Sequence, residues 1–170
     1  AVETLESELG DARHELDEFA RGVHPAIVTE AGLMPAVAEL AERSPIPVEV
    51  RGAIGRLPPA VETALFFVCS EALANVAKHA AASRVTIDVA ANRRRVTVAV
   101  ADDGRGGADP STGSGLRGLA DRVEALGGRL AVTSRPGEGT RVSAELDLAS
   151  ERASPERQQT APSPSRAPTA

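Results

Sequence analysis

Four polar side chains in the stretch SEALANVAKHA, namely Glu71, Asn75, Lys78 and His79, fall at i, i+4, i+7 and i+8. That spacing sets all four on one face of an α-helix. A carboxylate, an amide, an ammonium and an imidazole in one stripe suit a phosphate–magnesium site. Mg²⁺ takes oxygen ligands and few protein groups, and lysine offers a phosphate a point charge. Taken alone, the stripe reads more simply as a solvated helix face. In a second stretch, VAVADDGRGGAD, Asp102 follows an alternating apolar run and is trailed by Gly104 and Gly106. A carboxylate there can accept hydrogen bonds from an exocyclic amine, and glycines let a ligand approach the backbone. By itself, the same stretch is also an ordinary Asp-Gly turn. In a third, TGSGLRGL, Gly113, Gly115 and Gly118 fit G-x-G-x-x-G. The dinucleotide reading of that pattern fails: a polar loop precedes it, no βαβ unit surrounds it, and the residue about 20 positions on, Glu138, lies in a turn. What survives is a glycine-rich loop opening a helix whose free N–H groups can face an anion. A Walker-type phosphate loop fails as well, since the one lysine, Lys78, lies mid-helix without the required glycines. In the fourth, RPGEGTRV, Gly137, Gly139 and Thr140 make a tight turn into a last strand.

The elements that must carry these stretches are legible from period and punctuation. Residues 31–43 read as a helix, broken by SPIP, and PVEVRG reads as a short strand. A long helical pattern starts at Pro58-Pro59 and runs to about Ala82, with Val61, Leu65, Val68, Ala72 and Val76 as its apolar positions. Val85, Ile87 and Val89, then Val96, Val98 and Val100 after the polar NRRR turn, predict a hairpin. A glycine- and acid-rich loop spans 102–114, and a helix from about Gly115 to Leu126 stops at Gly127-Gly128. Strands around Leu130–Thr133 and Thr140–Leu148 flank RPGEG. The order predicts an α/β sandwich with adjacent antiparallel strands, not a βαβ repeat. At the other end, Val2, Leu5, Leu9, Ala12, Leu16 and Phe19 repeat in steps of 3 and 4. This is a heptad pattern ended by Gly22 and Pro25, read as the end of a longer helix.

Composition sets the limits. The chain has 170 residues, is 42% hydrophobic and 25% charged, and can bury a core. Aromatics are 2%, with no Trp or Tyr, which argues against stacking platforms for single-stranded nucleic acid. One Cys excludes an internal disulfide, and three scattered His argue against a structural zinc site. No unbroken apolar run approaches the roughly 20 residues that span a bilayer. The net charge of −5 is uneven: residues 1–18 carry seven acids and one base, whereas residues 19–150 are balanced at fifteen of each. The totals do not suggest a basic nucleic-acid surface.

The four stretches, in this order and spacing, resemble the Bergerat-fold ATPases shared by sensor histidine kinases, DNA gyrase, Hsp90 and mismatch-repair proteins. In that family an N box on a helix precedes a D-x-G-x-G box, a glycine lid and a G-x-G-T turn, and the resemblance covers about residues 31–148. ELDEFARGVHPAIVTEAGL, SEALANVAKHAAASRVTI and GLRGLADRVEALGG are most similar to the histidine kinases whose response regulators usually carry a helix-turn-helix. The resemblance implies a two-layer α/β sandwich, with a mixed, mostly antiparallel sheet and helices on one face, together with an N-terminal helix stub. It implies ATP and Mg²⁺ as cofactors. Asp102 then matches the acid that receives the adenine amino group, with Thr140 nearby through water and Gly104 and Gly106 beneath the ring. Asn75 matches the Mg²⁺ ligand. Glu71 matches the N-box acid that orders metal water or acts as a base. Lys78 and His79 match the basic pair facing the phosphates. Gly113, Gly115, Leu116 and Gly118 match the lid and the helix start behind it.

The same resemblance reads residues 1–24 as the end of a dimerisation helix and 25–149 as an ATP-binding catalytic domain, and the Ser-, Pro-, Ala- and Thr-rich composition of 150–170 predicts a disordered tail. The phosphoacceptor His is expected on a hairpin helix outside this chain. His24 before Pro25 matches a junction motif, and His14 before Glu15 lies too close to that junction to be the acceptor. The implied partners are the chain's own dimerisation domain and a response-regulator receiver domain, with no direct nucleic acid. The implied parent protein is a cytoplasmic-facing homodimer for which membrane anchoring is one arrangement. Rival readings on the same fold are an anti-sigma-type serine kinase, a nucleotide-binding interaction module and a mismatch-repair-type clamp.

Overall fold

A computed structural model describes residues 26–108 and 114–148. The heptad segment with His14 and His24, Gly113 of the glycine loop and the tail from 150 onward lie outside the described residues. The elements are α1 (Ala26–Ala31), α2 (Leu33–Glu42), β1 (Val48–Arg51), α3 (Pro59–Asn75), a π-helical turn (Val76–Ala80), β2 (Val85–Ala91), β3 (Arg95–Asp102), α4 (Ser114–Ala125), β4 (Arg129–Ser134) and β5 (Thr140–Asp147). The sheet runs β1-β2-β3-β5-β4. β1 pairs with β2 in parallel and every other pairing is antiparallel, so the expected mixed, mostly antiparallel sheet is what forms. α1, a six-residue helix between Pro25 and Gly32, has no counterpart in the sequence reading, because it is too short to show a period.

Alternation along each strand decides which face is covered. Register sets Val50, Ile87, Val100, Val142 and Val132 in one row across all five strands. Ile87, Val100 and Val142 in that row are buried. α3 lies over β3 and β5 on this face. Pro59 starts it where a missing N–H costs nothing. Its buried positions, from Val61 to Leu73, go nearly all the way round, the pattern of a helix enclosed on every side. α3 and the π-helical turn together form one 22-residue helix of mean hydropathy 1.4, long and apolar enough to cross a membrane by length and composition. Here it is the core helix of the sandwich. α4 packs beside it through buried Leu119 and Val123, and the Arg122 guanidinium sits 4.9 Å over the Phe67 ring. Cys69 is fully enclosed on α3, where burial pushes its thiol up to about 12, so it is an inert packing residue.

Two polar locks hold this apolar assembly in place. Glu62, with its side chain 1% exposed, pairs with Arg56 at 3.1 Å and accepts the Leu57 N–H at 3.0 Å. Arg56 also donates to the Thr29 and Glu30 carbonyls at the end of α1. One guanidinium therefore caps α1 and neutralises the acid buried in the front turn of α3. Asp103, just past β3, accepts the Ser83 hydroxyl at 2.7 Å and the Ser83 and Arg84 N–H groups at 2.8 and 3.0 Å. Those donors, the Ser83 hydroxyl first, draw its carboxyl down from 3.8 to about 2.

Replacing Arg56 with Met strands the buried Glu62 charge and is expected to lower the unfolding free energy by about 3 kcal/mol in urea denaturation. A loss below about 1 kcal/mol would show that the Glu62 carboxylate is not buried in solution. Asp103, whose folded carboxyl titrates low, stabilises fully above its unfolded-state value, and that contribution fades as pH falls toward about 2. Asp103→Asn should therefore melt below wild type at neutral pH, with the gap narrowing from about pH 4 downward. A gap independent of pH contradicts this assignment.

Candidate functional site

Between α3, β3, β5 and α4 the fold leaves a cavity of about 600 Å³. Its apolar walls are Ala72, Val76, Ala80, Val100, Val142 and Leu116. Glu71, Asn75 and His79 enter from the helix side, Asp102 and Gly106 from the end of β3, Gly115 from α4 and Thr140 from β5. Eight of the twelve residues singled out by sequence thus line one space: Glu71, Asn75, His79, Asp102, Gly106, Gly115, Leu116 and Thr140.

Gly104 is buried behind Asp102 and donates its N–H to Asp102 Oδ1 at 2.8 Å. Lys78 is exposed and does not line the cavity. The helical stripe assumed 3.6 residues per turn, but residues 76–80 form a π-helical turn. The wider turn advances fewer degrees per residue, which carries His79 toward that stripe and Lys78 out of it, so His79 reaches the cavity wall and Lys78 does not. Gly118 is exposed one turn along α4, with open space where a Cβ would be, so no contact requires a glycine there.

Asp102 is held by three backbone approaches. A Cβ on Gly104 would overlap the Ala80 carbonyl, and one on Gly139 would overlap the Asp102 carbonyl. One on Gly106 would overlap the Arg135 carbonyl. Gly106 and Gly139 also have φ of 60° and 71°, where a side chain is strained. Hydrogen bonds close the ring: Arg105 N–H to the Ala80 carbonyl at 2.8 Å and Gly137 N–H to the Arg105 carbonyl at 2.7 Å. Asp102 Oδ2 takes no hydrogen bond from the described residues, which leaves an acceptor beside apolar walls. On the opposite side, Asn75 Nδ2 donates to Glu71 Oε1 at 3.4 Å.

Two residues in or beside the cavity were not singled out by sequence. Ser134 bonds the Thr140 hydroxyl at 2.8 Å and accepts the Ala108 N–H at 2.9 Å. Its signal was the hairpin register, which pairs Ser134 with Thr140 across the RPGEG turn. Arg105 lines the cavity as the residue between the two glycines of DDGRG. As a cation inside a glycine motif it was visible in the sequence.

Residues 60–150 match the family described as histidine kinase-, DNA gyrase B- and HSP90-like ATPase. The sensor histidine kinase NarS of Mycobacterium tuberculosis is 32% identical over 151 residues, covering 82% of this chain and 35% of that protein. The histidine-protein kinase/phosphatase DegS of Brevibacillus brevis is 36% identical over 99 residues, covering 56% and 26%. Among solved structures, the blue-light activated histidine kinase EL346 of Erythrobacter litoralis matches with a TM-score of 0.62 at 28% identity, over 72% of this chain and 42% of that one. This chain spans less than half the length of each of these relatives. The family match covers the helix, the acid and the glycine turns that enclose the cavity, and the relatives sharing them are sensor kinases: the chain belongs to the histidine kinase-, DNA gyrase B- and HSP90-like ATPases.

Proposed function

We propose that this chain contains the catalytic domain of a sensor histidine kinase, which binds Mg-ATP in the cavity. The γ-phosphoryl passes to a histidine on a dimerisation domain and from there to a response-regulator receiver. The observation that carries the reading is Asp102, a carboxylate with one oxygen anchored by backbone and the other open beside apolar walls. That arrangement suits the exocyclic amine of adenine, which donates, and the flat ring around it, which is apolar. Thr140, oriented by Ser134, assists through water. Gly104 and Gly106 admit the ring close to the backbone.

Glu71 and Asn75 sit one helical turn apart and offer oxygen donors. This small set fits Mg²⁺, which completes its shell with water and phosphate oxygens. When bound, Mg²⁺ would neutralise charge on the triphosphate. Asn75 holds Glu71 in place, and Glu71 would order water at the metal or take a proton from the acceptor. His79, Gly115 and Leu116 bound the phosphate end, and the open N–H groups of α4 face the anion. Stabilisation of a transferring phosphoryl group by such fixed donors and charges is the catalytic principle.

Phosphotransfer to a separately produced dimerisation hairpin tests the proposal. Wild-type protein with labelled ATP should place acid-labile label on the hairpin histidine. Asp102→Asn should abolish this, because an amide presents donors as well as an acceptor to the amine. Acid-stable label on a serine would point instead to the anti-sigma class, and full activity in the Asp102 variant would overturn the adenine assignment.

A further inference from the structure

Glu71 and Gly115 belong to different helices and meet in the cavity wall. A Cβ on Gly115 would overlap Glu71 Oε1 and lie 2.8 Å from its Cδ. The same Oε1 accepts the Asn75 amide, so a neighbour on α3 steers the acid onto the first turn of α4. The missing side chain at position 115 leaves the space that the Glu71 carboxylate occupies. A carboxylate at that place is favoured by the partial positive charge of the helix start. The phosphates of a nucleotide carry the same sign and the same preference.

We propose that Glu71 is a built-in gate on this site. Without nucleotide, its carboxylate seats α4 and occupies the electrostatic place of the ligand's phosphates. Metal-free phosphate is repelled by the acid. Glu71 becomes a partner of the phosphates only when a divalent cation neutralises the two together. The inference rests on the Mg-ATP reading above and adds a reason for metal dependence that lies in the protein's own residues. It concerns phosphate alone, so a ligand without phosphate does not sense it.

Calorimetry on the 170-residue protein separates the possibilities, with ATP in excess Mg²⁺, ATP in EDTA and adenosine as the probes. Glu71→Gln, which keeps shape and removes charge, should bind metal-free ATP about tenfold more tightly than wild type, with adenosine affinity unchanged. If wild type binds Mg-ATP but Glu71→Gln binds metal-free ATP no better than wild type, the gate is wrong and the ATP reading stands. If wild type binds ATP in neither buffer, the ATP reading falls and the gate falls with it.

Discussion

The site depends on backbone touching backbone around Asp102. The end of the π-helical turn, the loop after β3 and the turn before β5 converge there, and Gly104, Gly106 and Gly139 leave no room for a side chain between them. A carboxylate on a loop of ordinary spacing would rotate. Here Oδ1 is fixed by the Gly104 N–H, so the direction of Oδ2 is fixed by the same covalent plane. Asp103 reinforces this from the outside by tying the strand end to Ser83 and Arg84. Preorganisation of this kind lets a single acceptor discriminate, because it cannot turn to suit the wrong ligand.

The second requirement is a stiff carrier for the polar groups opposite. α3 is enclosed on nearly every side by apolar neighbours, and its front turn is anchored by the Glu62–Arg56 pair. Glu71 follows Glu62 by nine residues, about 14 Å along the axis. The charge lock and the site acid therefore share one rod. At the far end the α-helical pattern gives way to a π-helical turn, and its last carbonyl bonds the Arg105 N–H across the gap. The helix that builds the core thus also positions one wall of the cavity and braces the loop of the other.

Much of this could be read from residue order. Pro58-Pro59 before an apolar run marks the start of α3. Strict alternation from Val85 to Val100 fixes the hairpin and its buried face. The succession of N-box-like, Asp-Gly and glycine-loop stretches assembles into a single cavity. The π-helical turn could not be read, because a one-residue widening leaves no mark on apolar periodicity. That is why Lys78 fits the stripe by spacing and yet lies outside it. The Glu62–Arg56 pair joins a loop to a helix across a turn, and no repeat links its members. Thr140 was visible, whereas Ser134 behind it required the strand register. Glu71 and Asn75 were legible as a pair, but the approach of Gly115 to the acid depends on how α4 packs, which only the folded chain displays.

The central claim is that Asp102 reads an amine. Adenine carries a donor at C6, and guanine carries an acceptor at the same position. Calorimetric titration of the 170-residue protein with ATP and with GTP, each with Mg²⁺, tests this without altering the protein. A fixed carboxylate facing a carbonyl leaves two acceptors opposed, so ATP should bind at least about a hundredfold more tightly than GTP. Equal affinity for the two nucleotides would mean that Asp102 does not read the base, and the assignment of the cavity would have to be abandoned.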